Sequence, residues 1–363
     1  MDFSTADTVF MQQALRLAEA GLNTTTPNPR VGCVLVKDGV VIGEGYHHRA
    51  GEPHAEVNAL SSVSDRQQLA GATAYVTLEP CSHTGKTGPC ADALLDAGIN
   101  RLVYAMEDPN PLVAGRGLNK LQRAGVVVDG PLLEEEALSL NLGFVKRMRT
   151  GLPLVRCKLA MSLDGRTAMS SGESKWITGP SARADVQKLR ARSCAIITGV
   201  ESVLLDDPLL TVRLPECERQ PIRVIVDSQL RVDPNAEVFR QPGTTLVATC
   251  DAAKALNSEL DTWPLPEKMG HVDLRELLLG LAEHYQCNEV LLETGAKLAG
   301  AFVAAGLVDE LIVYVAAKLM GSDARPLLEL PILTMGASLE LTIKDVRAVG
   351  PDWRITAIPD PES

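Results

Sequence analysis

The 363-residue sequence has no apolar run approaching the roughly 18 residues a membrane-crossing helix needs, so no membrane partner is expected. It has no surplus of positive charge either. Lys and Arg number 35 against 46 Asp and Glu, a net charge of −11. An acidic surface repels phosphodiester backbones and argues against a dedicated nucleic-acid binder, although a local arginine cluster can still hold a small phosphorylated ligand. The start of the chain lacks a basic leader followed by an apolar block. Instead Val9, Phe10, Ala14, Leu17 and Ala18 recur at helical spacing, with Thr5 or Asp7 available as a cap. That predicts a first helix, no signal peptide and a cytoplasmic protein. No internal repeat is visible. The second half has no G-x-G-x-x-G after a strand, so a Rossmann dinucleotide site is not indicated. What is present, 45% apolar and 22% charged residues, matches soluble globular proteins, and the length suits two domains.

The first half alternates. A helix near 7–20 precedes the strand VGCVLVK, an Asp38-Gly39 turn and the strand VVIGEGYH, a hairpin pattern. Helices from about His54, from about Cys90 and near 116–124 precede ATAYVTLE, RLVYAM and VVVD. One longer helical stretch follows, LLEEEALSLNLGFVKRMRTG. Thr150-Gly151-Leu152-Pro153 stops it, and the domain boundary is placed there, giving 1–150 and 151–363. The second half repeats the alternation: strands LVRCKLAMSLDG, CAIITG, IRVIVDS, TTLVATC, EVLLETG and ELIVYVA, and helices near 180–192, 273–285 and 296–305. Two further strand candidates, ASLELTIKDVRAVG and DWRITAIP, close it. Both domains are therefore expected to be α/β, the first with a mixed sheet.

Eight cysteines sit at 33, 81, 90, 157, 194, 217, 250 and 287. Most lie in apolar, strand-like segments and read as small buried hydrophobes in a reducing compartment. Only Cys81 and Cys90 occupy a polar, Gly- and Pro-rich stretch, LEPCSHTGKTGPC. Upstream, PHAEVNAL places His54 and Glu56 at a helix start, and Cys90 opens another helix behind Pro89. A helix start carries unpaired N–H groups and partial positive charge, which favours the thiolate. One imidazole and two thiolates make a three-ligand zinc site that leaves a position for water, and zinc lowers the pKa of that water to about 7. Glu56 then serves as proton shuttle to a leaving amine. Zinc nucleobase deaminases carry H-x-E followed by P-C-x-x-C. Here the spacing between the cysteines is longer, and the loop with Ser82, His83, Thr84 and Lys86 has room to close over a more decorated substrate. Beside this reading stand a structural site with His83 as fourth ligand and a pair of unrelated cysteines. Asn28, His47 and His83 read equally as substrate contacts or solvated loop polars.

The second half is less legible. EVLLETGAKLAGAF puts a glycine at a strand-to-helix junction, where backbone N–H groups can receive a phosphate, as at many α/β turns. Arg190 and Arg213 are phosphate clamps or solvated surface arginines. Trp176, in GESKWITG, packs on a cofactor ring or anchors its loop.

The stretches TPNPRVGCVLVKDG, GEGYHHRAGEPHAEVNAL, ATAYVTLEPCSHTGKTGPC and EDPNPLVAGRG resemble the deaminase half of the bifunctional riboflavin-biosynthesis deaminase/reductase family. KLAMSLDGRTAMSSGESKWITG and DELIVYVAAKLMGSDAR resemble its reductase half. The resemblance covers nearly the whole chain and is weakest at about 214–272. It implies a cytidine-deaminase-like α/β/α sandwich followed by a dihydrofolate-reductase-like α/β domain. It implies zinc on His54, Cys81 and Cys90, a proton shuttle at Glu56, and substrate contacts at Asn28, His47 and His83. In the second domain it implies NADPH contacts at Ala160, Trp176, Ser202, Asp206, Ser228 and the turn Gly295, Ala296, Lys297, Leu298, Ala299, Gly300 and Ala301. Reductase substrate contacts fall on Ser174, Arg190, Leu210, Arg213 and Glu293. Lys158, Asp206 and Glu293 are candidates for proton transfer. The implied sequence of reactions is hydrolytic deamination of a diaminopyrimidinone ribosylamine phosphate, then reduction of its ribosyl group to ribityl, in a homo-oligomer. Gly88, where the family usually has proline, and Thr294, where it more often has a small residue, depart from the pattern. Two other readings carry different expectations. A tRNA or nucleoside deaminase with an accessory domain predicts a basic surface and a short C-x-x-C, and a non-catalytic zinc-stabilised module predicts a dispensable Glu56.

Overall fold

The computed structural model describes residues 3–82, 88–111, 113–215, 217 and 219–360. The chain divides into two compact units, Met1–Gly151 and Leu152–Ser363.

In the first unit, α1 (Thr5–Glu19) begins with a reciprocal cap. The Ser4 hydroxyl accepts from the Asp7 N–H, and the Asp7 carboxylate accepts from the Ser4 N–H. The cap is thus Ser4, and the expected caps Thr5 and Asp7 lie inside the helix. Strands β1 (Gly32–Lys37) and β2 (Val40–Tyr46) form the expected hairpin through Asp38-Gly39, both at positive φ. Then come α2 (Ala55–Ser62), β3 (Thr73–Val76), α3 (Cys90–Asp96), β4 (Arg101–Tyr104), α4 (Arg116–Arg123) and β5 (Val127–Asp129). The sheet order is β2-β1-β3-β4-β5. β1 runs antiparallel to β2 and β3, while β3, β4 and β5 are parallel. Cys33, Val34 and Leu35 on successive faces of β1 are all fully buried, so helices cover both sides of the sheet. α1 reaches β1 closely because residue 32 is glycine: a Cβ there would lie 2.0 Å from the Ala14 carbonyl oxygen.

The stretch expected as one long helix is two, α5 (Glu134–Leu140) and α6 (Leu142–Thr150). The break is Asn141. Its buried amide accepts from the Arg30 N–H at 2.8 Å and donates to the Arg30 carbonyl at 3.0 Å. A backbone pairing 111 residues away overrides helix propensity at that position.

The second unit opens with β6 (Leu154–Ser162), β7 (Arg166–Ala168), α7 (Pro180–Arg192), β8 (Ala195–Gly199), α8 (Val200–Asp206) and β9 (Ile222–Val226). It continues with β10 (Thr245–Thr249), α9 (Ala252–Leu256), β11 (Thr262–Pro264), the hairpin β12 (Glu267–Lys268) and β13 (His271–Val272), and α10 (Leu274–Glu283). β14 (Glu289–Glu293), α11 (Ala296–Ala304), β15 (Glu310–Ala316), β16 (Arg325–Pro326), β17 (Leu341–Val349) and β18 (Asp352–Pro359) complete it. The large sheet runs β11-β10-β9-β8-β14-β6-β15-β18-β17, parallel from β11 to β15 and antiparallel at β18 and β17. Period-two burial separates its two cores. Val155, Cys157, Ile197, Val290 and Leu292 pack on one face, Ile196, Ile225, Val247, Leu291 and Ile312 on the other. α8, seven residues long, was not expected, being too short to show a helical period. Among the described residues no helix is long and apolar enough to cross a membrane.

Candidate functional sites

In the first unit the chain leaves β3 through Thr77, whose N–H donates to the Gly32 carbonyl at 3.1 Å and whose hydroxyl accepts from the Gly32 N–H at 3.1 Å. This carries Cys81 past the C-terminal ends of the parallel strands, where α3 begins. The Cys90 N–H, at the start of α3, donates to the Cys81 Sγ at 3.3 Å, and the Ala91 N–H donates to the Cys81 carbonyl at 3.1 Å. His54 occupies the N-cap position of α2 in an extended conformation. Its Nδ1 lies 3.2 Å from the Cys90 Sγ and 3.6 Å from the Cys81 Sγ. The three ligand atoms lie within 4.8 Å of one another, and no further His, Cys, Asp or Glu joins the group among the described residues. One imidazole nitrogen and two sulfurs form the donor set zinc prefers, and three protein donors leave a position open. The chemistry of the residues therefore fits the ion.

Glu56, on the first turn of α2, is 3% exposed and stands outside the ligand group. Burial pushes its carboxyl up to about 7. The Cys81 thiol is pulled down, first by its hydrogen bond with Cys90 and then by His54, against the effect of burial. His47, 2% exposed, has one defined tautomer. Its Nδ1 is 3.1 Å from the Pro53 carbonyl oxygen, which can only accept, so Nδ1 carries the proton. Its Nε2 then accepts from the Asn28 amide at 3.0 Å. The His47 and His54 rings meet edge to face at 5.3 Å. Asn28, His47, His54, Cys81 and Cys90 are thus brought together. His83 lies outside the described residues. At Gly88 a Cβ would meet nothing within 4 Å, so the departure there removes no packing.

Glu79 went unnoticed in the sequence. Its buried carboxylate accepts from the N–H groups of Gly117 at 2.8 Å, Gly115 at 2.9 Å and Asp108 at 3.3 Å. It ties the loop after β4 to the loop that carries Cys81. Gly117 belongs to the same device, since a Cβ there would lie 1.8 Å from the Pro80 carbonyl oxygen. Its signal was adjacency alone: a glutamate between a strand end and the Pro-Cys pair.

In the second unit a cleft of about 1650 Å³ opens at the C-terminal ends of β6, β8, β9 and β14, the usual ligand position in a parallel sheet. Lys158, Ala160, Ser174, Trp176, Arg190, Ser202, Asp206, Leu210, Arg213, Ser228, Glu293, Gly295, Ala296, Lys297, Leu298 and Ala301 all line it. Ala299 and Gly300, within the expected turn, do not line it. Ala299 is fully buried in the core, and at Gly300 a Cβ would lie 2.1 Å from the Glu329 carbonyl oxygen. On α11 these two positions face inward.

Arg190 is not a free phosphate clamp. Its Nε and Nη2 hold both Glu293 oxygens at 2.6 and 2.9 Å, and its Nη1 donates to the Thr211 carbonyl at 3.0 Å. Arg190, then Lys158 and Arg213, hold the Glu293 carboxyl low against the effect of burial, while burial drives the Lys158 ammonium down. The Ser174 hydroxyl donates to the Asp206 carboxylate at 2.8 Å. Trp176 is 65% exposed with the Arg183 guanidinium 4.5 Å over its ring. The Ser228 hydroxyl accepts from the Val272 N–H at 3.0 Å and so joins β9 to the β12–β13 hairpin. That hairpin wall, with Lys268 and His271, falls where the sequence resemblance is weakest. Thr294 is not a disturbance of its turn: its hydroxyl accepts from the Gly199 N–H at 3.1 Å and fixes the β8–α8 corner.

Comparison with known proteins agrees with this division. Residues 4–106 match the family described as the cytidine and deoxycytidylate deaminase zinc-binding region, and residues 153–355 match the RibD C-terminal domain. The Escherichia coli riboflavin biosynthesis protein RibD is 54% identical over 95% of this chain and 97% of its own. The Haemophilus influenzae protein of the same name is 46% identical over 99% of each. The solved structure of Acinetobacter baumannii RibD, form 1, 46% identical, superposes with a TM-score of 0.91 over 98% of this chain and 99% of that one. A Thermotoga maritima diaminohydroxyphosphoribosylaminopyrimidine deaminase/5-amino-6-(5-phosphoribosylamino)uracil reductase, 33% identical, gives a TM-score of 0.87 over 98% of this chain and 99% of that one. A deaminase-type metal centre and a reductase-type cleft on one chain, aligned end to end with such relatives, make this chain a member of the RibD family of bifunctional riboflavin-biosynthesis deaminase/reductases.

Proposed function

We propose that the chain catalyses two consecutive reactions on one small phosphorylated substrate. The first is hydrolytic deamination of 2,5-diamino-6-(5-phosphoribosylamino)pyrimidin-4-one in residues 1–150. The second is NADPH-dependent reduction of the ribosyl group to ribityl in residues 151–363. The observation that carries the reading is the His54, Cys81 and Cys90 donor set beside a buried Glu56, on the same chain as a cleft at strand C-termini that holds Lys158, Arg213 and Glu293.

Zinc bound by these three residues supplies the Lewis acidity that brings water toward ionisation near neutral pH. Glu56 would take up a proton and pass it to the leaving amine. Asn28 and His47 hold the substrate, with His47 kept neutral by burial against the opposing pull of its Pro53 contact. In the cleft NADPH supplies the hydride. Ala160, Trp176, Ser202, Asp206, Ser228 and the turn from Gly295 would orient it, while Ser174, Arg190, Leu210, Arg213 and Glu293 would meet the substrate. Lys158, with Glu293 beside it, holds the proton that completes the reduction, and Asp206 is the alternative donor. The net charge of −11 supports a small-molecule partner over nucleic acid, and we place the enzyme in the cytoplasm as a homo-oligomer.

Product mass tests the reading. Given the diaminopyrimidinone substrate, the purified protein is expected to exchange an amine for oxygen without NADPH, and to add two hydrogens only with it. No mass change in a folded, zinc-loaded sample would overturn the substrate assignment.

A further inference from the structure

Residues 210–213, Leu-Thr-Val-Arg, belong to no sheet, yet side chains meet their backbone polar groups one after another. The Thr211 carbonyl accepts from Arg190 at 3.0 Å. The Val212 N–H donates to the Gln220 Oε1 at 2.8 Å, and the Val212 carbonyl accepts from the Gln220 Nε2 at 2.9 Å. The Arg213 N–H donates to the Gln187 Oε1 at 2.9 Å. Gln187 is 8% exposed and projects from the middle of α7, between Arg183 and Arg190. A buried amide is expensive unless hydrogen-bonded, so committing one to a single loop N–H fixes that loop. The segment ends at the exposed Arg213. Of the cleft arginines on α7 and this segment, Arg183 lies over Trp176 and Arg190 pairs with Glu293, whereas the exposed Arg213 guanidinium lines the cleft and acts on Glu293 through its charge.

We propose that Gln187, assisted by Gln220, is a positioning residue: it holds the 210–213 strap so that the Arg213 fork is aimed at the phosphate of the reductase substrate. The inference rests on the reading of the cleft as the reductase site. A guanidinium on a slack loop would pay the ordering entropy at each binding event, and a preset strap removes that loss. Gln187 also lines the cleft, but the role assigned to it is positioning, exercised through the backbone of Arg213, so its effect should disappear when the Arg213 guanidinium is removed.

The experiment compares Gln187→Met, which keeps the length but removes the acceptor, with Gln187→Glu, which retains an acceptor, alone and combined with Arg213→Ala. Steady-state reduction is followed with the deaminated phosphoribosyl substrate and with the same compound lacking its phosphate. Gln187→Met is expected to raise KM for the phosphorylated substrate roughly tenfold, the size of one lost hydrogen bond. Its kcat and KM for NADPH should stay within about twofold, and Gln187→Glu should recover most of the loss. The effect should vanish with the unphosphorylated compound and in the Arg213→Ala background. If Arg213→Ala leaves KM unchanged, the cleft reading behind the inference is wrong. If Arg213→Ala raises KM but Gln187→Met does not, the reading stands and the positioning role fails. Equal losses in kcat, NADPH affinity and both substrates would mark Gln187 as merely structural and also overturn it. Should Gln187→Met not fold, Gln220→Met carries the same comparison, with the deamination rate of each preparation reporting intact protein.

Discussion

Glu56 is a carboxyl held out of water beside two thiols and an imidazole, and burial pushes it up to about 7, the range the proposed proton transfer needs. Replacing it by glutamine keeps the shape and removes the proton carrier. Glu56→Gln is expected to lower deamination by about 10²–10⁴-fold, while zinc content by atomic absorption and NADPH-dependent reduction of pre-deaminated substrate stay intact. Unchanged deamination would return the site to a structural role. Stripping the metal with a chelator should likewise abolish deamination and spare reduction, and added zinc should restore it. A reductase that fell in parallel would show the metal to be structural for the whole chain. At this scale the clustering of His54, Cys81 and Cys90 was legible because thiols in a polar, Pro- and Gly-rich stretch stand apart from cysteines in apolar strands. Glu79 and Gln187 were not legible. Each serves backbone N–H groups, and such partners leave no spacing in the sequence. The Arg190–Glu293 pairing was not legible for a related reason, since the two lie 103 residues apart.

At the scale of elements, one cluster locks the first unit. Asp7 on α1 accepts from Tyr75 on β3 at 2.8 Å and from Arg101 on β4 at 2.6 Å, and Arg101 also holds Asp129 on β5 at 2.7 Å. Burial alone would raise the Asp7 carboxyl, but the bonds from Arg101, Ser4 and Tyr75 outweigh it and hold the group well below the usual carboxylate range. A depressed folded-state value means stability present above the unfolded value of about 3.9 and lost as pH falls from there. Asp7→Asn is therefore expected to destabilise the unit by about 1–3 kcal/mol at pH 7, with the gap to the unmodified chain closing below about pH 4. Urea unfolding across pH measures this, and a gap constant with pH would dismiss the clamp. The strands, the Asp38-Gly39 hairpin and the longer helices were readable because each carries a period of two or 3.6 over enough residues. The break at Asn141 was not, because its cause is a partner across the fold.

For the whole molecule, each set of candidate residues is complete within its own unit. Two half-active chains should therefore complement each other in solution. A mixture of Glu56→Gln and Lys158→Met chains is expected to carry the diaminopyrimidinone substrate through both reactions, after a lag set by accumulation of the intermediate. Failure of the mixture, with each remaining half-activity intact, would mean that the intermediate does not pass through solution.

The same architecture sets a timetable for synthesis. β6 is the first strand of the second unit to leave the ribosome, yet it lies between β14 and β15. Its Arg156 pairs with Glu289 and Glu310, 133 and 154 residues further on. At roughly 5–20 residues per second, β6 waits on the order of ten seconds with both hydrogen-bonding edges bare. The deaminase sheet, by contrast, has all its strands before the boundary and can close while its neighbour is still being made. The reductase half is thus the part of the nascent chain that calls for a chaperone's protection.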